Sequence, residues 1–455
     1  MNPAWYFTAP WDPEPVRRGD PLGFRGSADH FAELLAPGLS NGTSDARWIS
    51  ILSWCLKWSH IAWQSAGGGD LSRREDQRAR YAWLRPLELL WVARTLSSGQ
   101  DTGQLRGRRS VNRWFNSEKG LPNFAMSSDQ FRRYRQVGTY GAYRVVFRAI
   151  TGLTAGDGWT PNGTALALAK LVNDSLPREA RLKQEHFESG TRWGNWIGAN
   201  EARYWVERGW PAWEKTGGIL PTPDDSVRKQ LPETERNLIR SVMFSDSSIL
   251  RMTAIVLAGA ETARTHADLC DALASSKALS KRLETAVLAS LPAFTRFADA
   301  AMHAMRGLWY EVNHDDANQA PAIKNLARSA DLQRRLNQLA AASGVWLTTP
   351  DQSAFPNRMS VTELADAMKQ AKTPSDQIRA LIKHHHKHGG GRNWFREQGG
   401  KLVPLVADTG IATSDYRFRL RSLCLLAAQC DVANMNSALN AMAQEEHDAE
   451  EENDE

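Results

Sequence analysis

Apolar residues recur along most of this chain every three or four positions, the spacing of one helix face, and short Gly- or Pro-bearing stretches interrupt them. The stretch "SADHFAELLAPG" predicts a short helix stopped by Pro37 and Gly38. The next helix runs through "RWISILSWCLKWSHIAW". Thr43 or Ser44 is its expected cap, and Asp45 sits where the helix dipole favours negative charge. Ile51, Trp54, Cys55, Trp58 and Ile61 fall on one apolar face, and Gly67-Gly68-Gly69 ends the element. "ARYAWLRPLELLWVARTL" predicts another amphipathic helix with a kink or restart at Pro86. Residues 233–345 give long helices throughout.

Two places break this rhythm. Near 129–175 a helical run is followed by "TAGDG", a short extended "WTP" and a new helix from about Thr164, which resembles part of a winged helix. The C-terminal part is more complete. Ser360 and Glu363 form a capping-box pattern for one helix, and Thr373, Pro374 and Asp376 start a second. On that second helix Ile378, Leu381, Ile382 and His385 face one way, and Ala380, Lys383, His384 and Lys387 the other. Gly389-Gly390-Gly391 ends it. "RNWFR" and "KLVPLV" then flank "EQGG" as a hairpin, and a last helix is expected from Asp415, capped by Ser414. Helix, helix, hairpin and helix is a winged-helix order, with the second helix as recognition helix.

The expected fold is mainly α: a multi-part helical body, a C-terminal winged-helix module and a second candidate module near 129–175. By sequence the chain divides into a Trp-rich helical part (1–110), the second candidate (111–180), a helical body (181–345), the C-terminal module (346–444) and an acidic tail (445–455).

Charge sharpens this picture. Eight acids in the last eleven residues leave the first 444 with a formal charge of +13, against +5 for the whole chain. A basic body points to a polyanionic partner. The tail is expected to be unfolded, either as a solubilising end or as a salt-sensitive competitor for the basic surface. Most of the eighteen tryptophans are expected in packing. No apolar run approaches the length of a membrane span, and the N-terminus lacks a basic start followed by an apolar run. Cys55, Cys270, Cys424 and Cys430 form no CxxC pair. Together these predict a cytoplasmic protein in a reducing compartment, away from membranes.

Two basic clusters are candidate nucleic-acid contacts. The first comprises Arg132, Arg133, Arg135, Arg144 and Arg148, interleaved with Tyr134, Tyr140 and Tyr143, a mixture that suits phosphate contact and base stacking. The second comprises Lys383, His384, Lys387, Arg392 and Lys401, at the end of the recognition helix and on the wing. The run "HHHKH" has three competing readings: a metal site, a phosphate contact or a solvated helix end. His384 and His388 have metal-ligand spacing, but no Glu or Cys completes a familiar set, so no metal and no cofactor is expected. The chain carries no P-loop, GxSxG, HExxH or dinucleotide fingerprint, and "EVNHDD" (Glu311, His314, Asp315, Asp316) reads as a helix-terminus loop. No catalytic residue is named.

The segment "ADHFAELLAPGLSNGTSDARWISILSW" resembles a signature of an uncharacterised bacterial family associated with anti-phage defence genes. The matching positions are Asp29, Pro37, Gly38, Ser40, Thr43, Arg47, Trp48 and Trp54. The resemblance implies a defence context rather than an activity. Arg47 is expected either in a buried bridge to Asp29 or Glu33, or as an anion contact at the helix start. The leading expectation is a nucleic-acid-binding protein, DNA first, acting with other protein subunits as sensor or adaptor of a defence complex. A helical scaffold that binds only proteins is the alternative, and a nuclease with an unrecognised site stands third.

Overall fold

Helices dominate because the predicted apolar stripes find one another. The computed structural model describes residues 20–71, 73–97, 105–108, 138–176, 178, 181–187, 231–314, 320–349, 358–390, 393–405 and 416–443. In chain order the elements are α1 (Arg25–Leu35), α2 (Arg47–Ser65), α3 (Arg74–Ser97), α4 (Thr139–Ala149), α5 (Gly163–Ser175), α6 (Glu233–Met243) and α7 (Ile249–Gly259). They continue with α8 (His266–Ala274), α9 (Lys277–Ser280), α10 (Thr285–His314), α11 (Ile323–Leu326), α12 (Ala330–Thr348), α13 (Arg358–Gln370) and α14 (Pro374–His388). A hairpin of β1 (Phe395–Gln398) and β2 (Lys401–Pro404) precedes α15 (Leu420–Gln429). No helix among the described residues is long and apolar enough to cross a membrane.

Contacts group the chain into two units, each assembled from separated stretches. Among described residues, the first holds 37–254 and 421–434, and the second holds 20–36, 255–420 and 435–443. The first unit is built around α2, which packs on α3, α4 and α5. Sequence predicts a single apolar face for α2, but every residue from Arg47 to Leu56 is buried. Partners on several sides turn a one-faced pattern into a core helix. Trp54 lies edge-on to Trp91 at 5.8 Å and its indole N–H donates to Asn173.

The cap of α2 differs from expectation. The Thr43 hydroxyl serves Ser40 and the Ala142 carbonyl instead. The Asp45 carboxylate accepts from the Arg47 N–H at 2.9 Å, while the Ala46 N–H is taken by the Gln429 side chain at 2.6 Å. Helix α3 runs on through Pro86 without a restart.

The candidate module near 129–175 is not seen as a winged helix among the described residues. Between α4 and α5 the chain makes a tight turn in which Asp157 accepts from the Trp159 and Thr160 N–H groups, and only isolated bridges join Thr154 to Thr151 and Pro161. Residues 129–137 lie outside the described residues.

In the second unit α10 packs on α8 and α12, and α12 on α13 and α14. Pro292 lies within α10 without ending it. Ser360 does not cap α13. It lies inside a helix already running at Arg358, and Glu363 is engaged elsewhere. The last helix starts at Leu420, later than expected. Tyr416, Arg417 and Phe418 precede it as a buried non-helical segment, with Phe418 and Arg419 at φ 47° and 61°.

Candidate nucleic-acid interface

Local chemistry fixes α14 at both ends. The Asp376 N–H donates to the Thr373 hydroxyl at 3.2 Å and the Thr373 N–H donates back to Asp376 at 3.1 Å, with Pro374 opening the first turn. At the other end Gly389 closes the helix. A Cβ there would lie 2.5 Å from the His385 carbonyl and 2.6 Å from that of Pro21, so only glycine fits.

Ile378, Leu381, Ile382 and His385 are buried as the spacing predicts. His384 is buried too, at 5% exposure, and this corrects the expectation that it faces outward with Lys383 and Lys387. Its imidazole is polar, but the Leu22 carbonyl gives it a partner inside, which removes the cost of burial. The exposed stripe is Arg379, Lys383, His386 and Lys387.

The histidine run is a clasp. His384 Nε2 donates to the Leu22 carbonyl (2.9 Å) and His385 Nδ1 to that of Pro21 (2.7 Å), while His385 Nε2 accepts from the Trp394 N–H (2.9 Å). His386 Nε2 donates to the Phe395 carbonyl at 2.9 Å, and His388 pairs with Glu363 at 2.6 Å. Residues 21–22 and the hairpin entrance are thus both tied to the end of α14. The His385 pattern, one nitrogen donating and the other accepting, is that of a neutral ring. Burial lowers His384 to about 4 and also pushes His385 below its ordinary value. The Lys387 ammonium and His388 hold the Glu363 carboxyl below the usual range. Among the described residues no three His, Cys, Asp or Glu stand together as a metal site.

The hairpin is held on both sides. Strands β1 and β2 pair antiparallel with Arg396 opposite Val403 and Gln398 opposite Lys401, around Gly399 and Gly400 at φ 59° and 74°. On the β1 side His386 and Arg379 of α14 reach the Phe395 carbonyl and the Glu397 carboxylate, the latter at 3.9 Å. On the β2 side residues 321–323 add two backbone bonds, Leu402 N–H to Pro321 (2.9 Å) and Ile323 N–H to Gly400 (3.1 Å). Leu402, opposite Glu397, is fully buried, so Arg396, Gln398 and Lys401 share the outer face.

Of the predicted contact residues, Lys383 and Lys401 are exposed and have no carboxylate partner among the described residues. Lys387 is exposed but salt-bridged to Glu363 at 2.7 Å. Arg132, Arg133, Arg135 and Arg392 lie outside the described residues. Arg148 is exposed, whereas Arg144 is 8% exposed, donates to Gln77 and lies 5.4 Å from the Trp159 ring centre. That corrects its assignment as a surface contact. Tyr140 and Trp159 draw its guanidinium inward, because a delocalised cation packs well on aromatic faces. Arg47 is likewise corrected: it is 4% exposed and pairs with Glu235, not with Asp29 or Glu33. Glu33 instead accepts from Arg419 at 2.7 Å. Glu311, the acid of "EVNHDD", accepts from the Ser329 hydroxyl at 2.5 Å, and Asp315 and Asp316 lie outside the described residues. Arg396, exposed on the same hairpin face as Lys401, is a basic residue that sequence reasoning passed over. Strand alternation combined with a two-residue Gly399-Gly400 turn, which sets Gln398 opposite Lys401, puts Arg396 on one face with Lys401.

Comparison with protein-family models, with curated proteins and with solved structures finds no match to this chain.

Proposed function

We propose that the chain binds nucleic acid, DNA first, through α14 and the β1–β2 hairpin. In this reading α13, α14 and the hairpin act as the winged-helix-like part of the second unit, with α14 as recognition helix. The observation that carries it is the cluster of Lys383, Arg396 and Lys401, exposed on adjoining elements with no carboxylate partner among the described residues. Cations left unneutralised by the protein's own acids are available to phosphates, and their counterions are released on binding. The charge of +13 over the first 444 residues supports the same partner. The resemblance around Ala28–Trp54 supports a role for this binding in a sensor or adaptor subunit of a bacterial defence complex.

The test is a DNA mobility shift at several salt concentrations. Lys383→Gln, Arg396→Gln and Lys401→Gln combined are expected to weaken binding and to reduce the slope of log affinity against log salt by about 2.7, at roughly 0.9 for each phosphate no longer neutralised. An unchanged affinity and slope would end the proposal.

A protein-binding scaffold is the second reading, favoured by Met359 and Val345, which stand 73% and 54% exposed. It predicts that Met359→Ser removes a protein partner while DNA affinity stays as it was.

A further inference from the structure

Resting on the reading of α14 and the hairpin as a nucleic-acid surface, we infer that its ligand is a duplex and that α11 is a third element contacting the duplex backbone.

Single strands are held by aromatic faces on which bases stack. Apart from the His386 imidazole, which is tied to the Phe395 carbonyl, this surface offers none among its described residues. Trp394 and Phe395, the aromatics next to the exposed stripe, are 6% and 1% exposed, and Trp394 is fixed by its N–H bond to His385. Of the large apolar side chains on α11, α14 and the hairpin segment, Leu405 is the exposed one, and it cannot stack on a base.

What the surface offers instead is cations on a braced frame. Residues 321–323 bond to β2 beside the Gly399-Gly400 turn, and α11 packs on α14. This pairing carries Lys324 and Arg328 to the hairpin. Both are exposed, four residues apart and without a carboxylate partner among the described residues, while Ile323 and Leu326 between and beside them are buried. Lys324 and Arg328 on and just after α11, Lys383 on α14, and Arg396 and Lys401 on the hairpin therefore project from three elements that hydrogen bonds and packing hold together. The Glu397 carboxylate, the acid in their midst, is turned to Arg379. A fixed array of point charges matches phosphates whose spacing is itself fixed, as in a duplex. A flexible strand would lose more conformational freedom to meet the same array.

The experiment compares a 20-base-pair DNA duplex with either of its single strands by fluorescence anisotropy, at two salt concentrations, on the full chain. The duplex is expected to bind at least tenfold more tightly. Lys324→Gln with Arg328→Gln, both exposed and checked for an unchanged melting temperature, is expected to weaken duplex binding about tenfold. It is also expected to lower the salt slope by about 1.8, the share of two phosphates. Equal or tighter binding of the single strand overturns the duplex inference and leaves the nucleic-acid reading intact. An unchanged slope in the double variant removes α11 from the interface. Binding of neither form at low salt overturns the underlying reading itself.

Discussion

Glu235→Ala is expected to destabilise the first unit by about 3–5 kcal/mol, because it strands the Arg47 guanidinium in the interior. Arg47 and Glu235 are 4% and 2% exposed, and their ion pair joins the first turn of α2 to α6. The contact runs through one nitrogen and one oxygen. Arg47 Nε and Glu235 Oε1 find no hydrogen-bond partner, so the pair does not fully offset its own desolvation. Arg47→Met with Glu235→Leu is therefore expected to be far milder than either single change, and close to neutral. Urea unfolding followed by tryptophan fluorescence reads the difference, since Trp48 and Trp54 lie on the same helix. A double variant as unstable as Glu235→Ala would show that the pair's geometry, not its charge balance, holds α2 to α6.

Acid should weaken the second unit before its carboxylates titrate. Burial lowers His384 to about 4 and His266 to about 3, and Arg417 adds to the shift of His266. A free imidazole titrates near 6.5. Both folded values lie below that, so the unfolded chain takes up protons first. The stabilisation is complete above about pH 6.5 and is lost as pH falls towards the folded values. For His384 the loss is about 3 kcal/mol once pH reaches 4. Asp268, Asp331 and Glu363, whose carboxyls are held below their ordinary values, lose their contribution only below about pH 4. Melting temperatures compared between pH 7 and pH 4.5 therefore read chiefly the histidines, against which the Asp29 carboxyl, pushed up by burial, works in the opposite sense. His384→Asn, which keeps a donor for the Leu22 carbonyl, should flatten the dependence. An equal drop in variant and parent would mean that His384 is not the group responsible.

The parts legible in the sequence are those decided by neighbours in the chain. Thr373, Pro374 and Asp376 start α14 with a locally closed hydrogen-bond box, and Gly399-Gly400 turns the hairpin because both residues need positive φ. Pro37 and Gly38 end α1 for the same kind of reason. The misreadings share a different origin. Arg47 finds its acid 188 residues away, and His384 is accepted into the interior by a carbonyl 362 residues away. Spacing along one helix carries no trace of either partner. Ser360 and Glu363 fit a capping box by residue type, yet Glu363 is claimed by Lys387 and His388 on the next helix. The delayed start of α15 rests on positive φ at Phe418 and Arg419, a conformation that neither residue type announces. At the proposed interface, Lys383 and Lys401 follow from helix and strand periodicity, whereas Lys324 and Arg328 depend on a backbone pairing between segments about 80 residues apart.

The Gln429 side chain that caps α2 also bears on how the protein is made. Gln429 bonds the Ala46 N–H and the Ser44 carbonyl, so α2 lacks these partners until α15 has been synthesised. The second unit is in the same position, since the early-made carbonyls of residues 21 and 22 wait for His385 and His384. At roughly 5–20 residues per second, the nascent chain must keep α2 and residues 20–24 unfinished for on the order of tens of seconds. During that interval the apolar surface of Phe24 lacks its late-made partners Phe294, Phe297, His384 and Tyr416. Newly made chains should therefore lean on chaperones, and release early in translation should yield insoluble fragments rather than a folded N-terminal piece.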